Sequence, residues 1–96
     1  MSIRYCVRFT AKPGCGQAFV DELKNSGTWD TFAKDDGCIS YEFFISAKDP
    51  DIVILMEEWE SVEKEAAHGK LPHMQMLWDI KAKYITATEK HRCDFF

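Results

Sequence analysis

The run Ile52–Met56 is the feature that most constrains how this chain folds. All five residues are apolar, yet the run is strand-sized and far too short to span a membrane. An unbroken apolar strand is typical of a sheet that is covered on both faces. The preceding segment, Cys38–Ser46, has the same character, because it places apolar side chains on both faces: Ile39, Tyr41, Phe43 and Phe44. The sequence therefore predicts a central pair of strands that is buried on two sides.

The residues before this pair predict one strand and a broken helix. Ile3–Ala11 alternates apolar and polar residues, which is typical of a strand. After a turn at Lys12–Gly16, the segment from Gln17 has helical spacing of Phe19, Val20 and Leu23. Gly27 is suited to end this helix, and Thr28 to cap a short helical piece over 29–34.

The remaining residues complete the order β-α-β-β-α-β. A five-residue turn, Ala47–Asp51, joins strands two and three as a hairpin, and the third strand ends at Trp59. A short helix follows, capped by Ser61 and ending near His68 and Gly69, and a second helix runs from Pro72 to about Tyr84. The last strand covers Tyr84–Thr88, and the tail, Cys93–Phe96, extends it or swaps onto a neighbour. This order predicts one α+β domain over 1–96, a ferredoxin-like split β-α-β antiparallel sheet with helices on one face.

The second face of that sheet predicts a homodimer. A domain of 96 residues has no further layer with which to cover the apolar strands. A second copy of the chain is the simplest cover, with two sheets packed face to face. The alternative is a monomer with an exposed apolar sheet, which is prone to aggregation.

Charge and composition exclude several classes of partner and cofactor. The formal net charge of −4 gives no basic field for nucleic acid or for anionic lipid. The four cysteines form no C-x-x-C pair, and the first residues lack an apolar signal-peptide core, so we expect reduced thiols in a cytoplasmic protein. No Gly-rich phosphate loop or Ser-His-Asp order is present, so no cofactor is expected.

His73 is the candidate catalytic base. On a helical wheel it shares the stripe of Met76, Leu77, Ile80 and Tyr84, so we expect it to face the sheet beside a cavity. A helix N-terminus disfavours the imidazolium, and a neutral imidazole is what a general base needs. The alternative is a structural histidine bonded to a backbone carbonyl or a carboxylate.

A second group of candidates surrounds this base. His68, near a helix end, is placed to pair with Glu57 or Glu58, which point to opposite faces of their strand. A metal site is not predicted, because Gly69 and Pro72 separate the two histidines and the i, i+4 spacing of ligands is absent. Aromatic side chains that could flank a planar ligand, or simply form core, are Trp29, Tyr41, Trp59 and Trp78.

Taken together, these residues resemble the antibiotic biosynthesis monooxygenase family over nearly the whole chain. Four segments carry the resemblance: Lys12–Gly14 after the first strand, Gly37–Tyr41 entering the second, Glu57–Trp59 ending the third, and the H-x-x-x-P-H run His68–His73. The resemblance implies a dimeric α/β barrel with one pocket per subunit between sheet and helices. It also implies oxygenation of a small aromatic or quinol-like compound without metal or flavin.

Under this resemblance, His73 is the expected base, and Glu57 and His68 are further catalytic candidates. Expected substrate contacts are Tyr41, Trp59, Met76 and Leu77. The superfamily also holds haem-degrading enzymes with an Asn, Trp and His set, but the first strand here offers Tyr5 and no asparagine. Two alternatives stay open. One is a metal-free isomerase of a small phosphorylated carbonyl compound, using Lys70 or Arg8, and the other is a non-catalytic dimer that binds an apolar metabolite.

Overall fold

A computed structural model describes residues 2–93 as a four-stranded antiparallel sheet with four helices. The elements in chain order are β1 (Ile3–Ala11), α1 (Gly16–Asn25), α2 (Thr28–Ala33), β2 (Cys38–Ile45), β3 (Ile52–Trp59), α3 (Val62–His68), α4 (Met74–Tyr84) and β4 (Ile85–Cys93). The strand order is β2-β3-β1-β4, and each neighbouring pair is antiparallel. The predicted ferredoxin-like α+β fold is thus confirmed.

Local sequence signals explain where several helices begin and end. Gly27 has a φ of 80°, a left-handed conformation that glycine adopts readily. It follows the C-cap of α1 and is the N-cap of α2. The Ser61 hydroxyl accepts a hydrogen bond of 3.2 Å from the backbone N–H of Lys64, so it caps α3 as predicted. β4 runs on to Cys93, beyond the predicted end at Thr88, because it pairs with β1 over that length. The rest of the predicted tail, residues 94–96, lies outside the described residues.

The core lies between the helices and one face of the sheet. Phe9, Leu55 and Trp59 from the sheet are at most 2% exposed. They form one buried cluster with side chains from the helices: Phe19, Leu23, Phe32, Leu77 and Ile80. The helices therefore cover a single face, which is the predicted arrangement.

Residues 2–93 leave the opposite face of the sheet uncovered. β3 alternates, with Leu55 and Glu57 buried against the helices and Ile54 and Met56 half-buried on the other side. Phe44, opposite Ile54 in β2, is 46% exposed. Strands two and three are therefore apolar on both faces, and nothing in the described part of the chain covers the second face. No helix in residues 2–93 has the length and hydropathy to cross a membrane.

Candidate functional site

A cavity of about 180 Å³ opens between the helix-facing side of the sheet and helices α3 and α4. Phe9, Leu55 and Leu77 contribute apolar walls. Ionisable side chains also line it: Tyr41, Glu57, Glu65, His68, Lys81 and Lys90. An engineered apolar cavity of about 150 Å³ holds benzene, so the volume is suited to a small aromatic ligand. A larger depression beside Trp29 brings no buried ionisable groups together.

Two histidines bond to one buried carboxylate at the edge of this cavity. Nδ1 of His68 lies 2.5 Å from Oδ2 of Asp35, and Nε2 of His73 lies 2.8 Å from the same oxygen. The exposed fractions of the side chains are 4% for His68, 7% for Asp35 and 28% for His73. An ionised carboxylate can only accept, so each of these ring nitrogens carries a proton. The pairing therefore fixes the Nδ1–H tautomer of the neutral imidazole, in which Nε2 of His68 is the basic nitrogen.

His68 is held in this orientation by its aromatic neighbours. Its ring centroid lies 4.6 Å from that of Trp59 and 5.1 Å from that of Phe32. It lies at the C-terminal end of α3, while Asp35 follows α2, in a turn closed by a 3.0 Å bond from the Cys38 N–H to the Asp35 carbonyl. Within residues 2–93 no protein group bonds Nε2 of His68, and His68 lines the cavity. This nitrogen is thus available to a ligand.

Glu57 is the second buried acid–base group of the cavity. It is 4% exposed, and the Trp59 indole N–H donates a 2.8 Å hydrogen bond to its Oε1. Burial raises the pKa of Glu57, and the indole bond opposes this shift in part. Burial also raises the pKa of Tyr41 well above its ordinary value, with Glu57 adding to the shift. Both environments favour the protonated forms, which can donate a hydrogen bond to a ligand.

Two lysines reach the cavity from opposite sides. Lys90 on β4 pairs with Glu65 at 2.5 Å, and its Nζ lies 4.5 Å from the centroid of the Tyr5 ring. Lys81 on α4 lies with its Nζ 5.5 Å from the centroid of the Phe9 ring. Burial lowers the pKa of Lys81. Among the described residues, Glu65 balances the charge of Lys90, whereas no acidic side chain pairs with Lys81.

Asp35, His68 and His73 also form a set of groups that can bind a metal. One ligand atom from each lies within 4.8 Å of the others. Two imidazoles and a carboxylate are ligands that zinc and iron(II) accept. The spacing of the histidines in sequence did not predict this proximity. In this structure both histidines hydrogen-bond the carboxylate directly.

Comparison with known families agrees with this architecture. The family model described as "Antibiotic biosynthesis monooxygenase" matches residues 2–77. The chain belongs to the antibiotic biosynthesis monooxygenase family. No curated protein matches the sequence significantly. The family assignment thus rests on the family model, while solved structures add support for the fold.

Several solved structures share the fold of this family member. PA3566 from Pseudomonas aeruginosa superposes with a TM-score of 0.83 at 16% identity, over 99% of this chain and 94% of that one. Rv0793 from Mycobacterium tuberculosis gives 0.80 at 20% identity, over 100% and 96%. A Nitrosomonas europaea protein, provisionally described as an antibiotic biosynthesis monooxygenase, gives 0.84 at 18% identity, over 96% and 88%. These likenesses concern the fold.

Of the predicted site residues in this family member, the structure brings most to one cavity. Those that line it are Tyr41, Glu57, His68 and Leu77, and Trp59 supports Glu57 from behind. Met76 does not line it, and Met74 does. His68 pairs with neither Glu57 nor Glu58, since Glu58 lies on the opposite face and bonds Ser2.

His73 does not occupy the position that the helical wheel predicted. α4 begins at Met74, and His73 is its N-cap, because residues 71–73 form a turn with a bond from the Met74 N–H to the Leu71 carbonyl. Its ring lies beside Phe32, at 5.2 Å between centroids, and bonds Asp35. This contact with a carboxylate is the one expected if His73 is a structural histidine.

Four ionisable residues of the site were not predicted from the sequence: Asp35, Glu65, Lys81 and Lys90. Asp35 belongs to an Asp-Asp-Gly turn, which is common in loops without any function, so no sequence signal pointed to it. The cations proposed instead, Arg8 and Lys70, do not line the cavity. Arg8 is exposed on β1, where side chains alternate, and lies between the inward-facing Val7 and Phe9.

Proposed function

We propose that the chain is a cofactor-independent monooxygenase that oxidises a small aromatic, quinol-like compound with O2. The observation that carries this proposal is the His68–Asp35 pair at an apolar cavity. A buried carboxylate fixes Nδ1 of His68 as the donor, so the neutral ring presents Nε2 as the base, and the ring lines a space suited to an aromatic ligand. Family membership supports a monooxygenase-like activity on a small molecule.

The first step is a proton transfer from the substrate to Nε2 of His68. The electron pair of the broken O–H or C–H bond stays on the substrate, and the Asp35 carboxylate stabilises the imidazolium that forms. The resulting electron-rich anion reacts with O2 in a space from which apolar walls exclude water. One oxygen atom enters the product and the other leaves as water, while the substrate supplies all the electrons.

The other site residues orient the substrate and the base. Glu57 and Tyr41, both in environments that favour the protonated form, donate hydrogen bonds to a second substrate oxygen. Trp59 fixes Glu57 through its indole N–H. His73 is a positioning residue, because it bonds the Asp35 oxygen on the side away from the cavity.

We also propose that the protein acts as a homodimer. Members of the family typically dimerise. The uncovered sheet face, with Phe44, Ile54 and Met56, is the surface that a second copy would bury, as expected for an apolar interface. The cavity lies on the other face of the sheet, so the dimer leaves the cavity-lining side of the strands free.

Oxygen uptake is the direct test of the proposed reaction. Purified protein is given 1,4-dihydroxynaphthalene or anthrone in an oxygen electrode, and the spontaneous oxidation rate is subtracted. We expect catalysed uptake that His68→Gln reduces by about 10²–10⁴-fold and that Glu63→Gln, an exposed change on α3, leaves unchanged. Absence of catalysed uptake with these and related quinols would contradict the proposal.

The second candidate is a metal-free isomerase of a small phosphorylated carbonyl compound. The observation that favours it is the pair Lys81 and Lys90 at the cavity, since a phosphate requires cationic partners. Turnover of such a compound under nitrogen would identify this activity, because an isomerase needs no O2. Tight binding without turnover in either atmosphere would indicate the non-catalytic binding dimer.

A further inference from the structure

In the part of the chain that the structure describes, Lys81 is partly buried and has no acidic partner, unlike the other partly buried or paired lysines. Lys64 pairs with Asp36, Lys83 with Glu22 and Lys90 with Glu65. Within residues 2–93, Lys81 makes no ion pair or hydrogen bond, and burial lowers its pKa. The remaining unpaired lysines are exposed, so water solvates their charge.

The position of Lys81 is unfavourable for a charge that has no partner. Burial removes water from the ammonium group, and the Phe9 ring, whose centroid lies 5.5 Å from Nζ, compensates for this loss only in part. Surface lysines usually extend into solvent, because this costs little. An unbalanced, half-buried ammonium in a cavity wall therefore indicates that an anionic group of a ligand is its partner.

The location of Lys81 within the cavity makes such a partner accessible. It lies four residues after Leu77 on α4, so both side chains lie on the face that lines the cavity. Phe9 and Leu55 contribute apolar surface to the same space as His68. The cavity thus combines an apolar wall, a basic nitrogen and one unneutralised cation.

We propose that Lys81 binds an anionic oxygen of the ligand, so that the cavity selects aromatic compounds carrying a carboxylate, phenolate or enolate. The proposal rests on the proposed function for the aromatic class of the ligand. In that reaction, Lys81 receives the oxyanion that remains when His68 accepts the proton. The charge left on the substrate is thereby balanced inside the cavity.

The test compares two probes of nearly equal shape. Calorimetry measures the binding of 2-naphthoate, which is anionic at pH 7, and of 2-naphthamide, which is neutral. We expect the wild type to prefer the carboxylate. Lys81→Met, which keeps the length of the side chain and removes its charge, should weaken naphthoate binding by about tenfold and change naphthamide binding by less than about twofold. Lys81→Arg should retain the preference for naphthoate.

Lys83→Met is the matched control on the same helix, because Lys83 pairs with Glu22 outside the cavity. We expect it to leave the affinity for both probes unchanged. Equal binding of the two probes to the wild type, or no binding of naphthoate, overturns the assignment of Lys81. Equal losses for both probes in Lys81→Met do so as well.

The outcome is separable from that of the oxygenase proposal. The binding assay contains no oxidisable substrate and needs no O2. If naphthoate is preferred but no quinol is oxidised, the anion site stands and the oxygenase does not. If Lys81→Met leaves naphthoate binding unchanged while His68→Gln reduces oxygen uptake as expected, the reverse holds.

Discussion

Replacing Asp35 by asparagine removes one negative charge and almost no volume. The side chain is 7% exposed and accepts from His68 and His73 through one oxygen. In Asp35→Asn, an amide oxygen at the Oδ2 position can still accept from Nδ1 of His68 and from Nε2 of His73. We therefore expect the fold to be retained, which circular dichroism and thermal melting can verify.

The loss of charge should nevertheless reduce turnover. A hydrogen bond to a charged group contributes about 1.5–3 kcal/mol and a neutral one about 0.5–1.5 kcal/mol, so the imidazolium formed on His68 loses roughly 1–1.5 kcal/mol of stabilisation. At 1.36 kcal/mol per tenfold change, kcat should fall by about tenfold. His68→Gln should cost about 10²–10⁴-fold, the usual contribution of a general base.

Steady-state oxygen uptake at saturating quinol compares the two variants. Stabilisation of the His68 imidazolium by Asp35 is excluded if folded Asp35→Asn retains full turnover, or if its kcat falls as much as that of His68→Gln. The first result would mean that the carboxylate does not act on the base. The second would mean that the carboxylate itself, or a metal that it binds, performs the chemistry.

Four further predictions concern the site and the assembly. His73→Gln should reduce kcat by less than about tenfold, since glutamine can still donate to Asp35; a loss equal to that of His68→Gln would make His73 the base. Burial raises the pKa of Glu57 in the folded state, so the free energy of unfolding should fall as pH rises from the ordinary glutamate pKa to the raised pKa. Glu57→Gln should therefore raise Tm at pH 8 and not at pH 4. Equal shifts of Tm at both pH values would contradict this. Turnover should survive dialysis against a chelator, and its loss with recovery on adding iron(II) or zinc would assign a metal to the histidine–aspartate cluster. Light scattering at micromolar concentration should show a dimer for the wild type and a monomer for Phe44→Glu, which changes the uncovered sheet face. The control Val62→Glu, an exposed change on α3, should remain a dimer. A monomeric wild type would exclude the dimer.

The fold was predictable because its signals are local. The alternation in Ile3–Ala11, the hairpin turn and the Ser61 cap each involve residues close in sequence, and the structure confirms all three. The unbroken apolar run Ile52–Met56 likewise placed apolar side chains on both faces of the sheet. The start of the last helix and the end of the last strand were displaced most, because the turn over 71–73 and the pairing with β1 determine them. Thr28, predicted as the cap of the second helix, is the first residue of α2 instead, and Gly27 is its N-cap.

The site was predictable only in part, because its geometry depends on contacts between distant residues. Glu57 and His68 were identified as ionisable groups near aromatic side chains, and both line the cavity. Their partners were not identified, since Asp35 is 33 residues from His68. A helical wheel assigned His73 to the sheet-facing stripe, but His73 precedes the first residue of α4, so the periodicity of the helix does not apply to it.

Isotope labelling tests the central claim, base-initiated oxygenation at His68, most directly. Metal-depleted protein converts the best quinol or anthrone substrate under ¹⁸O2, and mass spectrometry follows the label in the product. Base-initiated oxygenation predicts one ¹⁸O atom per product molecule for the wild type, and a rate lower by about 10²–10⁴-fold for His68→Gln. Product without label, or equal rates of labelled product from both proteins, would contradict it.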